Sequence, residues 1–295
     1  MSPERGPLLL SGATELRKDL PISPQIIQQL FAQTDEDSRA SLADIAKSIA
    51  ADQGLTVKVL AMANSAYYGL QTEVESPARA VALLGLDTIR CLVLGIGVKG
   101  LSAKLRNGSD FDLRAYWRHQ LLTAATARLL AGRLRDVPQG EDAPPVVPDQ
   151  IFTAAMLHDL GKLLTAIIMP DDWATIITLA REGQLSIAEA EDTYWGLDHG
   201  VVGALALRSW NLPPSLTEPV NWHHAPDMAP DYVLHAQILC MADALCVLHA
   251  TPDARVPGPW RELLEQFALD RDQLTAEVAE LAQDDGLLQL ADALA

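Results

Sequence analysis

"TAAMLHDLGK", from Thr153 to Lys162, sets a histidine beside an aspartate in an apolar, alanine-rich stretch. Two readings are open. In one the segment is a helix end, with Asp159 and Lys162 solvated, Gly161 breaking the helix and His158 satisfied by a backbone carbonyl. In the other, His158 and Asp159 are metal ligands. Taken alone the pair favours the first, because a lone buried histidine is usually structural. The rest of the chain has to decide.

A chain of 295 residues has ample length for a core and fits one large domain or two subdomains. Apolar residues make up 49% and aromatics only 5%, so the core is expected from Leu, Ala, Val and Ile. Few β-branched runs interrupt the alanine and leucine, and strand signals are scarce, which predicts an all-α fold. The formal net charge of −17 argues against a general nucleic-acid binder, which needs lysine and arginine to displace counterions. Cys91, Cys240 and Cys246 form no CxxC pair and sit in apolar surroundings, as reduced core thiols do. The opening "MSPERGPLLLSG" has too short an apolar run for a signal peptide. No uninterrupted apolar stretch is read as long enough to span a bilayer. The expectation is a cytoplasmic protein that engages neither membrane nor nucleic acid.

Upstream of the opening stretch, "LPISPQIIQQLFAQT" offers Ser23 as an N-cap and Pro24 as a first helical residue. Leu42, Ile45, Ala46, Ile49, Leu55, Val59, Leu60 and Met62 then recur at helical spacing. "ARAVALLGLDTIRCLVLGIGVKGL" predicts a buried helix pair broken near Gly85. The polar "LRNGSDFD" at 105–112 predicts a boundary between two packed subdomains, 1–108 and 109–295. Beyond it, "RAYWRHQLLTAATARLLAGRLRD" predicts a long helix with His119 on a stripe with Leu122, Thr126 and Leu130, and Arg128 opposite. "LDHGVVGALALRSWNLP" predicts a helix stopped by Pro213, and the tail predicts one acidic amphipathic helix.

All seven histidines lie between 119 and 249. Asp243 sits inside the apolar "ILCMADALCVL", where a desolvated, unpartnered carboxylate costs several kcal/mol. A metal is one way to satisfy it. Imidazole and carboxylate on separate helices suit a hard or borderline cation in a bundle core. His119, His158-Asp159 and Asp243 resemble the signature of the HD superfamily of metal-dependent phosphohydrolases, and "HDLGK" resembles its central motif. His199 and the pair His223-His224 are similar to the additional histidines that give some members, HD-GYP phosphodiesterases among them, a second metal. The first half resembles the HDOD domain of bacterial signalling proteins through "LPISPQIIQQL", "LADIAKSIAADQGLTVKVLAMANSAYYGL" and "VESPARAVALLGLDTIRCLVLG". "ALALRSWNLPPSLTEPVNWHHAP" resembles the same domain, so the likeness covers most of residues 18–250.

The resemblance implies an HD/HDOD-like helical bundle with His119, His158, Asp159, His199, His223 and Asp243 as ligands. It implies a mono- or dinuclear divalent centre, with iron or manganese ahead of zinc or magnesium, since availability often chooses among them. His224 is expected outside the ligand set, hydrogen-bonding to a ligand or facing solvent. Asp159 would bridge two ions, which acidify a water for in-line attack on phosphorus, with Lys162 as a point charge for the phosphate. Against catalysis stand the residues "DMAPDY" after "HHAP", where no GYP follows, while Ala115, which cannot be the extra carboxylate of three-metal relatives, leaves His224 without a metal role. Gln53 stands where proline is usual after the aspartate. His235 and His249 read as structural, and Asn64, Tyr67 and Tyr68 invite a binding-site reading that a helix cap and core packing explain as well. The function implied is a signalling HDOD protein contacting other signalling proteins. The alternative is a phosphohydrolase acting on a nucleotide or cyclic dinucleotide.

Overall fold

The computed structural model describes residues 5–15, 41–64, 74–106, 109–140 and 143–295. The cap expected at Ser23 and Pro24 and the side chains of Tyr67, Tyr68 and Cys91 lie outside that description. Among the described residues there is no strand, and the all-α expectation is met.

Caps written in the sequence start half of the described helices. After α1 (Arg5–Glu15), α2 (Leu42–Ala50) opens on a capping box in which Ser41 Oγ accepts the Asp44 N–H and the Asp44 carboxylate accepts the Ser41 N–H. α3 (Gln53–Ala63) starts where proline is usual, because Asp52 accepts the Leu55 N–H and caps it. Asn64 then clamps the chain ahead, its amide donating to the Val74 carbonyl and accepting the Val74 N–H at 2.9 and 2.7 Å. Ser76 caps α4 (Pro77–Leu84), and Gly85 at φ 78° separates it from α5 (Leu86–Ser102), the break the sequence predicts. α6 (Leu113–Leu134) follows, capped by Asp112. Its Leu122, Thr126 and Leu130 are buried and Arg128 is exposed.

The opening stretch folds differently from its first reading. α7 (Pro148–Leu157) and α8 (Leu160–Ile168) are separate helices broken at His158-Asp159, not at Gly161. Gly161 lies inside α8, where a Cβ would meet the backbone of His199, 2.7 Å from its carbonyl carbon. It is a close-approach glycine rather than a helix breaker.

α9 (Pro170–Gly183) and α10 (Ile187–Trp195) lead to α11 (His199–Ser209), which ends well before Pro213 because Asn211 takes a left-handed φ of 60°. α12 (Pro214–Trp222) and α13 (Val233–Ala250) complete the central bundle. The single tail helix of the sequence reading is three: α14 (Trp260–Gln266), α15 (Arg271–Leu281) and α16 (Asp285–Leu294). Asp270 and Asp284 each cap a new helix, and Ala268 turns at φ 50°, so local hydrogen bonds override the continuous amphipathic pattern.

α6 packs on α7, α13 and α16, while α11 packs on α12, α8 and α1. One buried cluster runs from Leu9 to Leu294 around Trp117 and Trp210. The expectation about apolar length needs correction. Pro148–Ile168, at 21 residues, and Val233–Ala250, at 18, are long and apolar enough to cross a membrane. Both are core segments, the first spanning α7, its break and α8, 83% and 72% buried inside the bundle, and helical segments surrounded on all sides are apolar all round.

Candidate metal centre

Five elements bring their polar residues to one place. His119 comes from the first half of α6, and His158-Asp159 is the break between α7 and α8. His199 opens α11, His223 and His224 follow the end of α12, and Asp243 sits inside α13. The break matters: a continuous helix would hold residues 158 and 159 about 100° apart around its axis, on different faces. The non-helical ψ of 12° at Asp159 instead lets its carboxylate join the ring of His158.

Asp159 Oδ1 lies 3.0 Å from His199 Nε2 and 3.3 Å from His158 Nε2, and Asp159 Oδ2 lies 3.5 Å from His119 Nε2. Asp243 Oδ1 lies 3.1 Å from His119 Nε2 and 3.5 Å from His158 Nε2. Ligand atoms group as His119–His158–Asp243, His158–Asp159–His223 and His199–His223–His224, each set within 4.8 Å. The structure thus brings together all the residues read from the sequence as ligands. His224 takes the first of its two expected places, its Nε2 lying 3.0 Å from His199 Nε2, and it also falls within one of the three candidate ligand groups.

The Nδ1 atoms of His158, His223 and His199 turn to partners outside the ligand set. His158 Nδ1–H donates to the Ala155 carbonyl at 2.6 Å and His223 Nδ1–H to the Val220 carbonyl at 2.7 Å. These bonds fix the tautomer that leaves the inward Nε2 as a lone pair. His199 Nδ1 instead faces the Glu191 carboxylate at 2.6 Å. With the ring protons on the outer nitrogens, five buried inward atoms are left without an aligned hydrogen bond although they crowd together: Nε2 of His119, His158 and His223, and Oδ1 of Asp159 and Asp243. Buried polar atoms are almost always paired, and stranding one costs about 1–3 kcal/mol. Five converging on one place fit a divalent cation, which satisfies nitrogen lone pairs and carboxylate oxygens together.

Burial opposes ionisation of both aspartates, yet both carboxyls stay well below the usual range. His158 and Lys162 hold Asp159 there, and His119 and His158 hold Asp243. Burial and the charges of His158 and His199 push His223 down to about 4. Burial, with His223 and His199 beside it, also takes His224 well below its ordinary value. Burial lowers His199 too, but Glu191 and Asp159 outweigh it and raise His199 to about 10. Ionised carboxylates and the neutral imidazoles of His223 and His224 suit a metal, whereas His199 has to give up its proton to bind one.

Lys162 Nζ donates to Asp159 Oδ2 at 2.7 Å and also lines a cleft of about 600 Å³. His199, His224 and Asp243 lie at the same cleft, whose walls are the α9–α10 turn and residues 253–257. Arg255 crosses between the walls to Glu189 at 2.7 Å. Sequence reasoning missed this cleft, because it forms only when two distant segments fold over the centre. It also missed Glu191. Flanked by Glu189 and Asp192, Glu191 reads as part of a solvated charge run, although it shares a face with the buried Ala188. His235, by contrast, is buried against Tyr232 away from the ligand set.

The HDOD domain model matches residues 20–226. The chain belongs to the HDOD domain family. Its fold is shared by solved structures. A presumptive phosphohydrolase from Shewanella amazonensis aligns with a TM-score of 0.70 and 25% identity, over 96% of this chain and 98% of that one. A presumptive signal transduction protein from Marinobacter aquaeolei aligns with a TM-score of 0.74 and 21% identity, over 93% of this chain and 60% of that one. An uncharacterized protein of Treponema pallidum is 22% identical over 269 residues. That match covers 90% of this HDOD chain, which spans about half the length of its curated relative.

Proposed function

We propose that this HDOD protein is a cytoplasmic regulatory component of bacterial-type signal transduction, built around a mono- or dinuclear divalent metal centre and acting through contacts with other signalling proteins. The observation that supports the centre most strongly is the convergence of five partnerless buried donor atoms. His119, His158, Asp159, His199, His223 and Asp243 would hold the ion or ions, with His224 at the margin. Iron or manganese fits first, then zinc or magnesium. The regulatory half of the reading rests on family membership, the signal-transduction name of the Marinobacter structure, and the sequence after "HHAP", which carries no GYP.

A second reading, a phosphohydrolase of nucleotides or cyclic dinucleotides, is favoured by the cleft that reaches Asp243 and Lys162. A bound divalent ion would supply Lewis acidity and lower the pKa of a water. The chain's own contributions are distinct from that. Lys162 brings a cation to the cleft, and the cleft walls shield the centre on either side. Asp159 lies between Lys162 and three histidines, so its carboxylate sets the charge of the whole group.

The test is a screen of metal-loaded protein against cyclic dinucleotides, nucleotides and a generic phosphodiester, run beside Asp159→Ala. No turnover in any metal form, with stoichiometric metal bound, is the expected result and supports a regulatory domain. Turnover abolished by Asp159→Ala establishes the second reading instead.

A further inference from the structure

The outward nitrogens of the centre are not held alike. His158 and His223 each rest on a carbonyl three residues back in the chain, but His199 rests on a charge. Glu191 is fully buried and reaches from α10 to the start of α11. Its Oε2 accepts the His199 Nδ1–H at 2.6 Å and the His199 backbone N–H at 2.8 Å, pinning ring and backbone at one atom. Its Oε1 has no hydrogen-bond partner. A buried carboxylate is an expensive way to cap a helix. α11 already has a cap, since Asp198 Oδ1 accepts the Val201 N–H. Something other than capping must use the charge.

We propose that Glu191 is a positioning residue of the metal centre, which turns His199 Nε2 toward the ion and makes that imidazole the strongest donor of the set. The proposal rests on the metal reading given above. A carboxylate behind an imidazole raises the basicity of the opposite nitrogen, which a carbonyl does more weakly. Glu191 also changes the charge of the site. With His199 neutral, as a ligand must be, Glu191, Asp159 and Asp243 set three buried carboxylates against the ammonium of Lys162, an excess that matches a divalent cation. The geometry is specific to His199, whose Nε2 sits between Asp159 Oδ1 and His224 Nε2, each 3.0 Å away. Turning this ring disturbs more of the cluster than turning any ring at its edge.

The test measures cobalt(II) and manganese(II) affinity by chelator competition, with the visible cobalt spectrum as a reporter of ligand geometry. The proteins are the wild type, Glu191→Gln, Glu191→Asp, His199→Ala and Glu191→Gln/His199→Ala. Glutamine keeps the shape and an oxygen that accepts both hydrogens, so a capping role survives it and the metal-free melting temperature stays put. The expected result is about 10- to 100-fold weaker binding for Glu191→Gln. The cobalt spectrum should change, Glu191→Asp should recover part of the loss, and the substitution should add nothing in the His199→Ala background. Wild-type affinity in Glu191→Gln, or an undiminished loss without His199, overturns the proposal. A wild-type protein that takes up neither metal overturns the reading of the centre itself, whatever Glu191 does.

Discussion

Gly161→Ala should cost about 3 kcal/mol of stability and abolish metal binding, although Gly161 is not a ligand. An added Cβ would sit 2.7 Å from the carbonyl carbon of His199 and 2.8 Å from its Cα, so backbone and not a flexible side chain must yield. Overpacking of this kind costs about 1–3 kcal/mol, more when neither side can move. Here neither can. Gly203 on α11 already faces the Gly161 nitrogen across the same crossing, and Gly200 is pressed against the Val220 carbonyl of α12. The displaced residue is His199, so the ligand moves with the backbone. Urea denaturation and metal titration check both halves. Gly132→Ala is the control: a Cβ there meets nothing within 4 Å, and its place on the exposed side of α6 means alanine should stabilise by about 0.5–1 kcal/mol. Equal effects at the two glycines would contradict the close-approach account.

Metal removal should lower the melting temperature substantially. At free metal 100-fold above its dissociation constant, binding stabilises the folded state by about 2.7 kcal/mol. For a chain of this length that is a shift of roughly 5 °C. The direction follows from the site, because without a cation the partnerless atoms of His119, His158, His223, Asp159 and Asp243 stay buried and unsatisfied. Protein purified without chelator should carry stoichiometric transition metal by elemental analysis and lose the added stability on chelation. Identical melting curves with and without metal would leave the cluster with no thermodynamic role for an ion.

The helical fold could be read from the chain because its signals are local. Ser41 with Asp44, Ser76 with Pro77, Asp112 and Gly85 each mark a helix boundary through hydrogen bonds or backbone freedom within four residues. The ligand types could be read because a histidine or aspartate inside an apolar stretch is conspicuous. What could not be read depends on approach between distant segments. Gly161 has the local look of a helix breaker, and only the crossing of α8 by α11 shows why a side chain is forbidden there. Glu191 is disguised by its acidic neighbours until the fold turns it inward. The cleft comes from residues about 70 positions apart in the chain.

The spread of the ligands along the chain carries a consequence for the order in which the molecule assembles. His119 and Asp243 stand 124 residues apart and meet across α6 and α13. Joining contacts this remote requires closing long loops, an entropy that must be met before the contact returns anything. An early collapsed chain therefore has no place where these nitrogens and oxygens converge. A cation held by these residues would act as a late lock on a finished bundle rather than a seed for it. Its stabilisation should appear almost wholly as slower unfolding, with the folding limb of the chevron unmoved by added metal.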